Sequence, residues 1–131
     1  MNDAMPVADM IKTLSYDHER LREVGARILD AIECCNVECA CGDLLEFQLI
    51  QDSHFWFQNR LMEAASYPAR EDHIRCHKRL HTILIAINGV LCTGRFSALT
   101  VDLASFIEES LAHIHEMDDP FHEFLIQEKS G

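Results

Sequence analysis

The chain is poor in positive charge: Lys and Arg number 11 against 22 Asp and Glu, a formal net charge of -11 over 131 residues. Phosphate binding needs clustered Lys and Arg, and the arginines here are dispersed, which argues against a nucleic-acid partner. Long apolar runs are missing as well. No stretch approaches the roughly 20 residues of a membrane span, and Asp3 and Asp9 precede the first basic residue, unlike a signal peptide. The expectation is a cytoplasmic protein with no membrane insertion. Alternating, β-branched segments of useful length are also absent, as are internal repeats and low-complexity tracts. Residues 1–131 therefore read as a single all-α domain, long enough to close a hydrophobic core without disulfides or metal as staples.

Six cysteines and eight histidines are present. Without an export signal, reduced thiols are the default. Cys34, Cys35, Cys39 and Cys41 crowd into one short stretch but lack the Cys-x-x-Cys spacing of zinc knuckles. They read first as small thiols around a helix–helix turn, with a soft-metal or redox site as the other reading.

The hydrophobic period is helical nearly throughout. Ile11, Leu14, His18, Leu21, Ile28 and Ile32 mark one face of a long first helix, with a skipped turn at Gly25, and Asn36 to Gly42 breaks it. A second helix beginning near Asp43 places Phe47, Ile50, His54, Gln58 and Leu61 on one stripe before Ser66, Tyr67 and Pro68. A third runs from about Arg70 to Cys92 with His73, His77, Leu80, Leu84, Ile87 and Leu91 on its stripe, closed by Gly94. A fourth opens at Ser97 as N-cap and carries Leu103, Phe106, Ser110, His113 and Met117 before Pro120 ends or kinks it. Short connections predict an up-down-up-down antiparallel four-helix bundle.

All four stripes carry histidine. Residues four apart on a helix lie about 40° apart around the axis and roughly 6 Å along it. His73 and His77 can thus bind one ion, and His54 and Gln58 have the same spacing. His113 and Asp118 are five apart, about 140° on a regular helix, so sharing a site needs carboxylate reach or a π-bulge. Five histidines on apolar stripes are hard to explain as packing, because each buried imidazole needs a polar partner. A transition-metal site inside the bundle answers that need.

The ordered set His54-Phe55, Met62, Tyr67-Pro68, His73, His77, and His113-Ile114 before Asp118 resembles the bacteriohemerythrin family over essentially the whole chain, from Asp17-His18 onward. The resemblance implies two iron ions, oxo- or hydroxo-bridged, that bind dioxygen without enzymatic turnover. It places His73, His77 and His113 on one iron, His18 and His54 on the other, and Asp118 as a bridge. Gln58 departs from the pattern, because the family has a bridging glutamate there. A glutamine is neutral and cannot bridge two ions as a carboxylate does. Glu109, four residues before His113 where the family usually shows tryptophan, is the candidate replacement carboxylate; a solvated acid beside Glu108 is the other reading.

The function expected on this basis is dioxygen binding, as an oxygen or redox sensor module or as a carrier. The alternative is a di-iron enzyme acting on oxygen, peroxide or nitric oxide. The sensing version implies a fused or partner signalling output domain. Apolar surroundings are expected to exclude water from the site. Among the other histidines, His81 reads as a partly exposed residue, His115 faces away from His113, and the direction of His122 beyond Pro120 is open.

Overall fold

A computed structural model describes residues 6–91 and 100–130; the expected helix terminus at Cys92 and Gly94 and the expected cap at Ser97 lie outside them. Helix α1 spans Val7–Glu33, α2 Val37–Ala64 and α3 Arg70–Leu91. Helix α4, Thr100–His113, passes through a π turn at Ile114–Asp118 into α5, Asp119–Ser130, so the last two act as one fourth member of the bundle. Among the described residues there is no strand, and no helix is long and apolar enough to cross a membrane.

Pair contacts fix the register. Arg27 reaches Asp43 and Glu46 while Asp17 reaches His54, so α1 and α2 are antiparallel. Asn88 donates to Gln48 and His77 meets Asn59, which makes α3 antiparallel to α2. Phe47 packs on Phe106 and Phe55 on His113, so α2 and α4 run parallel across the diagonal. This is the expected up-down-up-down bundle. At Gly25, α1 comes close to α4: a Cβ there would lie 3.2 Å from Ile107 Cγ2.

The first two connections use the same device. After α1, Cys35 takes a left-handed conformation (φ 56°), its N–H bonds to the Ile32 carbonyl, and the Asn36 N–H bonds to the Ala31 carbonyl. After α2, Ser66 (φ 51°) and Tyr67 repeat this with Glu63 and Met62. Both are Schellman closures without the usual glycine. Asn36 then caps α2 by accepting from the Cys39 N–H. The second helix accordingly begins at Val37 and not near Asp43, because the cap lies before the cysteines; Cys39 and Cys41 sit inside α2 and Gly42 is carried in an open helical position. Pro120 does not end the fourth helix either. The turn before it is π, with the Asp119 N–H bonded to the Ile114 carbonyl, and the chain continues helically past the proline. A proline ring needs relief from the carbonyl of the preceding turn, and the widened turn lies where that relief is needed.

Two apolar clusters fill the interior. The larger contains Leu21, Ile28, Leu44, Phe47, Leu84, Phe106 and Ile107; the smaller contains Leu14, Met62, Tyr67, Phe121 and Leu125. Along each member of the bundle the buried histidines fall between a residue of one cluster and a residue of the other, so a polar layer crosses the core.

The left-handed serine gives a stability prediction. A side chain in that conformation costs about 1–2 kcal/mol relative to glycine. Ser66→Gly is expected to raise unfolding stability by about 1 kcal/mol in a denaturant titration; a lower midpoint would mean that the serine contributes more than a backbone conformation.

Candidate metal centre

The polar layer is built around Asp118, which is wholly buried. Its Oδ2 lies 2.8 Å from His18 Nε2 and 3.2 Å from His54 Nε2. Its Oδ1 lies 2.8 Å from His73 Nε2 and 3.1 Å from His113 Nε2. The π turn makes this reach possible, since five residues wind about 140° on a regular helix and the slipped register brings Asp118 back to the face of His113. The five expected histidines and Asp118 are therefore assembled as two groups, His73, His77, His113 with Asp118, and His18, His54 with Asp118.

The ring nitrogens meet one another as well. His73 Nε2 and His77 Nε2 each lie 3.1 Å from His113 Nε2, and His18 Nε2 lies 3.2 Å from His54 Nε2. A neutral imidazole has a single N–H. That of His77 is drawn outward, with Nδ1 2.7 Å from Asn59 Oδ1, so its Nε2 lone pair points into the cluster. His54 Nδ1 likewise donates to Asp17 Oδ2 at 3.0 Å. Such outer partners fix the tautomer of a metal-bound imidazole. Nitrogens at this spacing match ligands about 2.0–2.1 Å from a shared ion at roughly right angles. The donor set fits a transition-metal ion, and each group can hold one.

Electrostatics point the same way. Burial, followed by repulsion from His73 and His113, pushes the His77 pKa down to about 2, so this ring is neutral. Burial also lowers His73, against the pull of Asp118. For His54 burial acts downward too, but hydrogen bonds to Asp118 and Asp17 outweigh it and raise the pKa. Burial alone would raise Asp118; the hydrogen bonds from His113, His18, His54 and His73 overcome it and hold the carboxyl far below the usual range. A carboxylate locked in its anionic form beside the neutral ring of His77 is what a cation requires.

No family model matches the chain. No curated protein and no solved structure matches it either. The donor geometry therefore carries the functional argument.

Gln58 lies on the same stripe as His54, is 0% exposed, and has no hydrogen-bond partner at either Oε1 or Nε2. Leaving a buried amide unpaired costs about 1–3 kcal/mol, and an ion beside it would take up the oxygen. The structure does not bring Glu109 to the cluster. Its carboxylate is turned outward and paired with Arg79, Oε2 to Nε at 3.2 Å and Oε1 to Nη2 at 3.0 Å, with 44% of the side chain exposed. The position four before His113 falls on the flank facing α3, and it is Ser110 that points inward, buried and with its hydroxyl unpartnered. The surroundings are thus less apolar than expected: Gln51 Oε1, three residues before His54, is also buried and unpaired.

The supporting roles of three residues were not read from sequence. Asn59 and the outward role of Asp17 depend on the helix register, which no local pattern reveals. His122 is partly buried, stacks on His18 with ring centroids 5.2 Å apart, and has its pKa pushed down to about 4 by burial and then by His18. His81 pairs with Asp52 and His115 with Asp119 at the surface, as expected of residues outside the site. Phe55 lies flat on His77, with centroids 3.8 Å apart. The thiols of Cys34, Cys35, Cys39, Cys41 and Cys76 are free.

Two outcomes follow. His77 takes a proton only near pH 2 when folded but near 6.5 when unfolded, so its contribution is complete above 6.5 and is lost as pH falls toward 2. Asp118 acts in the same direction below its ordinary 3.8, while His54 opposes. Chelator-treated protein should therefore unfold at lower denaturant at pH 5 than at pH 7.5; a higher midpoint at pH 5 would contradict the buried neutral imidazoles. Glu109→Ala should leave metal stoichiometry unchanged by elemental analysis, whereas loss of an ion would return Glu109 to the site.

Proposed function

We propose that this cluster holds two iron ions and binds dioxygen in the manner of a hemerythrin, as an oxygen or redox sensor module or as an oxygen carrier. The observation that carries the reading is Asp118, one carboxylate with one oxygen in each histidine group. The ordered histidine motif supports the choice of iron and oxygen over the other metals that imidazole accepts. Paired ferrous ions supply the two electrons that reversible oxygen binding moves.

The protein's own residues set the conditions. Imidazoles and a single carboxylate keep the net charge of the donor set low. Asn59 and Asp17 hold His77 and His54 in orientation. The apolar clusters on either side limit water access. A cleft of about 190 Å³, lined by Leu80, Ala112 and Met117 and by the charged Arg79, Glu109 and Glu116, reaches His113 and gives small molecules an approach. Gln58 contributes an oxygen without charge, and removing one negative charge favours the lower oxidation state. That bias suits a redox-responsive switch better than a carrier.

Metal analysis combined with absorption spectra recorded anaerobically and then in air tests the proposal. Two irons per chain and a charge-transfer band that comes and goes with oxygen are expected; colourless zinc-bound protein would overturn it. Gln58→Glu should lower the reduction potential by more than about 60 mV, a tenfold shift in a one-electron equilibrium, and an unchanged potential would remove Gln58 from the site.

A further inference from the structure

Two ring contacts tie α2 to α4 across the bundle: Phe47 with Phe106, centroids 5.9 Å apart, and Phe55 with His113, 5.7 Å apart. Gln51 stands four residues after Phe47 and four before Phe55, so it lies on the stripe of α2 that faces α4. Ser110, four after Phe106 and three before His113, holds the matching place on α4. Because the two helices run parallel, both side chains come to one level, a turn away from His54 and His113 on the side of Phe47 and Phe106. Gln51 is 2% exposed and Ser110 4%. Neither Gln51 Oε1 nor Ser110 Oγ has a hydrogen-bond partner, so no bond joins the two.

Hydrocarbon side chains would fill this level without polar cost, whereas each buried unpaired group is expensive. The hydroxyl of Ser110 can donate, and the carboxamide of Gln51 can present its oxygen or, turned about its last bond, its N–H. Placed opposite each other, they make a polar seat with room for a ligand of only a few atoms. The charge of the neighbouring layer says which kind. Asp118 is the one carboxylate in the two histidine groups built on it, and Gln58 beside His54 is neutral. Asp17 acts from behind His54, on Nδ1, and is not a donor to the ion. Two divalent ions held here would meet a single negative charge, and a buried excess of either sign is costly until it is paired.

We propose that Gln51 and Ser110 seat a small inorganic anion that binds at the metal centre and supplies the negative charge missing at Gln58. The proposal rests on the two-ion reading. The ions attract the anion, and the two polar side chains orient it by hydrogen bonds from the side of the larger apolar cluster. Charge that a second carboxylate would have fixed in the chain is thereby delivered by an exchangeable ligand.

Cobalt(II)-loaded protein is titrated with sodium azide at constant ionic strength, with binding followed by visible absorption and metal content by elemental analysis. The wild type is expected to hold two ions and bind azide. Ser110→Ala and Gln51→Leu should keep both ions and bind azide at least about tenfold more weakly, the effect of losing one hydrogen bond to a charged group. Gln58→Glu leaves the seat intact and restores the charge, and it should weaken azide by a similar factor. Unchanged azide affinity in Ser110→Ala and Gln51→Leu would overturn the seat, and unchanged affinity in Gln58→Glu would overturn the charge argument. If metal-free Ser110→Ala unfolds at lower denaturant while its loaded form binds azide as the wild type does, the two groups hold a bridging water only. A wild type with two ions and no response to azide would sink this proposal alone; fewer than two ions would remove the two-ion reading and the charge excess with it.

Discussion

One buried carboxylate sets the terms for the rest of the molecule. Asp118 touches a histidine from each of α1, α2, α3 and α4, so its position requires all four helices to be in register at one level. A charge without water around it is tolerable only when surrounded by donors or cations. The five imidazoles provide that environment; the carboxylate meets four of them directly and the outer partners Asn59 and Asp17 fix His77 and His54, while His73 Nδ1 stays buried without a partner. Removing one member leaves several others unpaired, which ties the site and the bundle together more tightly than apolar packing would.

The level at which this happens divides the interior. Phe47, Phe106 and Leu84 belong to one apolar cluster, and Met62, Tyr67 and Phe121 to the other. Each cluster alone is a small core. Among the described residues, the polar layer between them is where buried side chains prefer direction over volume. Helix pairs that could slide by a turn on hydrocarbon alone are pinned there, because a one-turn slip would bring carboxylate against leucine. Specificity of register is the best-attested role for buried polar groups in bundles.

Much of this was legible in the sequence. The inward stripes follow from residue spacing, and Leu14, His18, His54, His73, His77, Leu80, Leu103 and His113 are buried as their period requires. What a helical wheel does not contain is the azimuth of neighbouring helices. Glu109 lies only about 40° from His113 on that wheel, yet this angle is enough to carry it to the α3 flank and onto Arg79. The start of α2 was hidden for a different reason: cysteine and glycine weaken the helical signal, while the decisive group is the single Asn36 cap. His122 was unreadable because phase counted from His113 on a regular helix puts it about 180° away, and only the π turn restores it to the inner side.

That turn stores one residue more than a regular helix would use between Ile114 and Asp118. Five residues in this turn wind about as far as four on a regular helix, so shortening the segment by one residue would let it relax to α geometry with Phe121 and Leu125 still facing the smaller cluster. A residue lost from the regular helix on either side would instead rotate everything beyond it by about 100°. Chain length is therefore under constraint along α4 and α5 but not within the π turn, where the bundle could lose one residue and keep its packing.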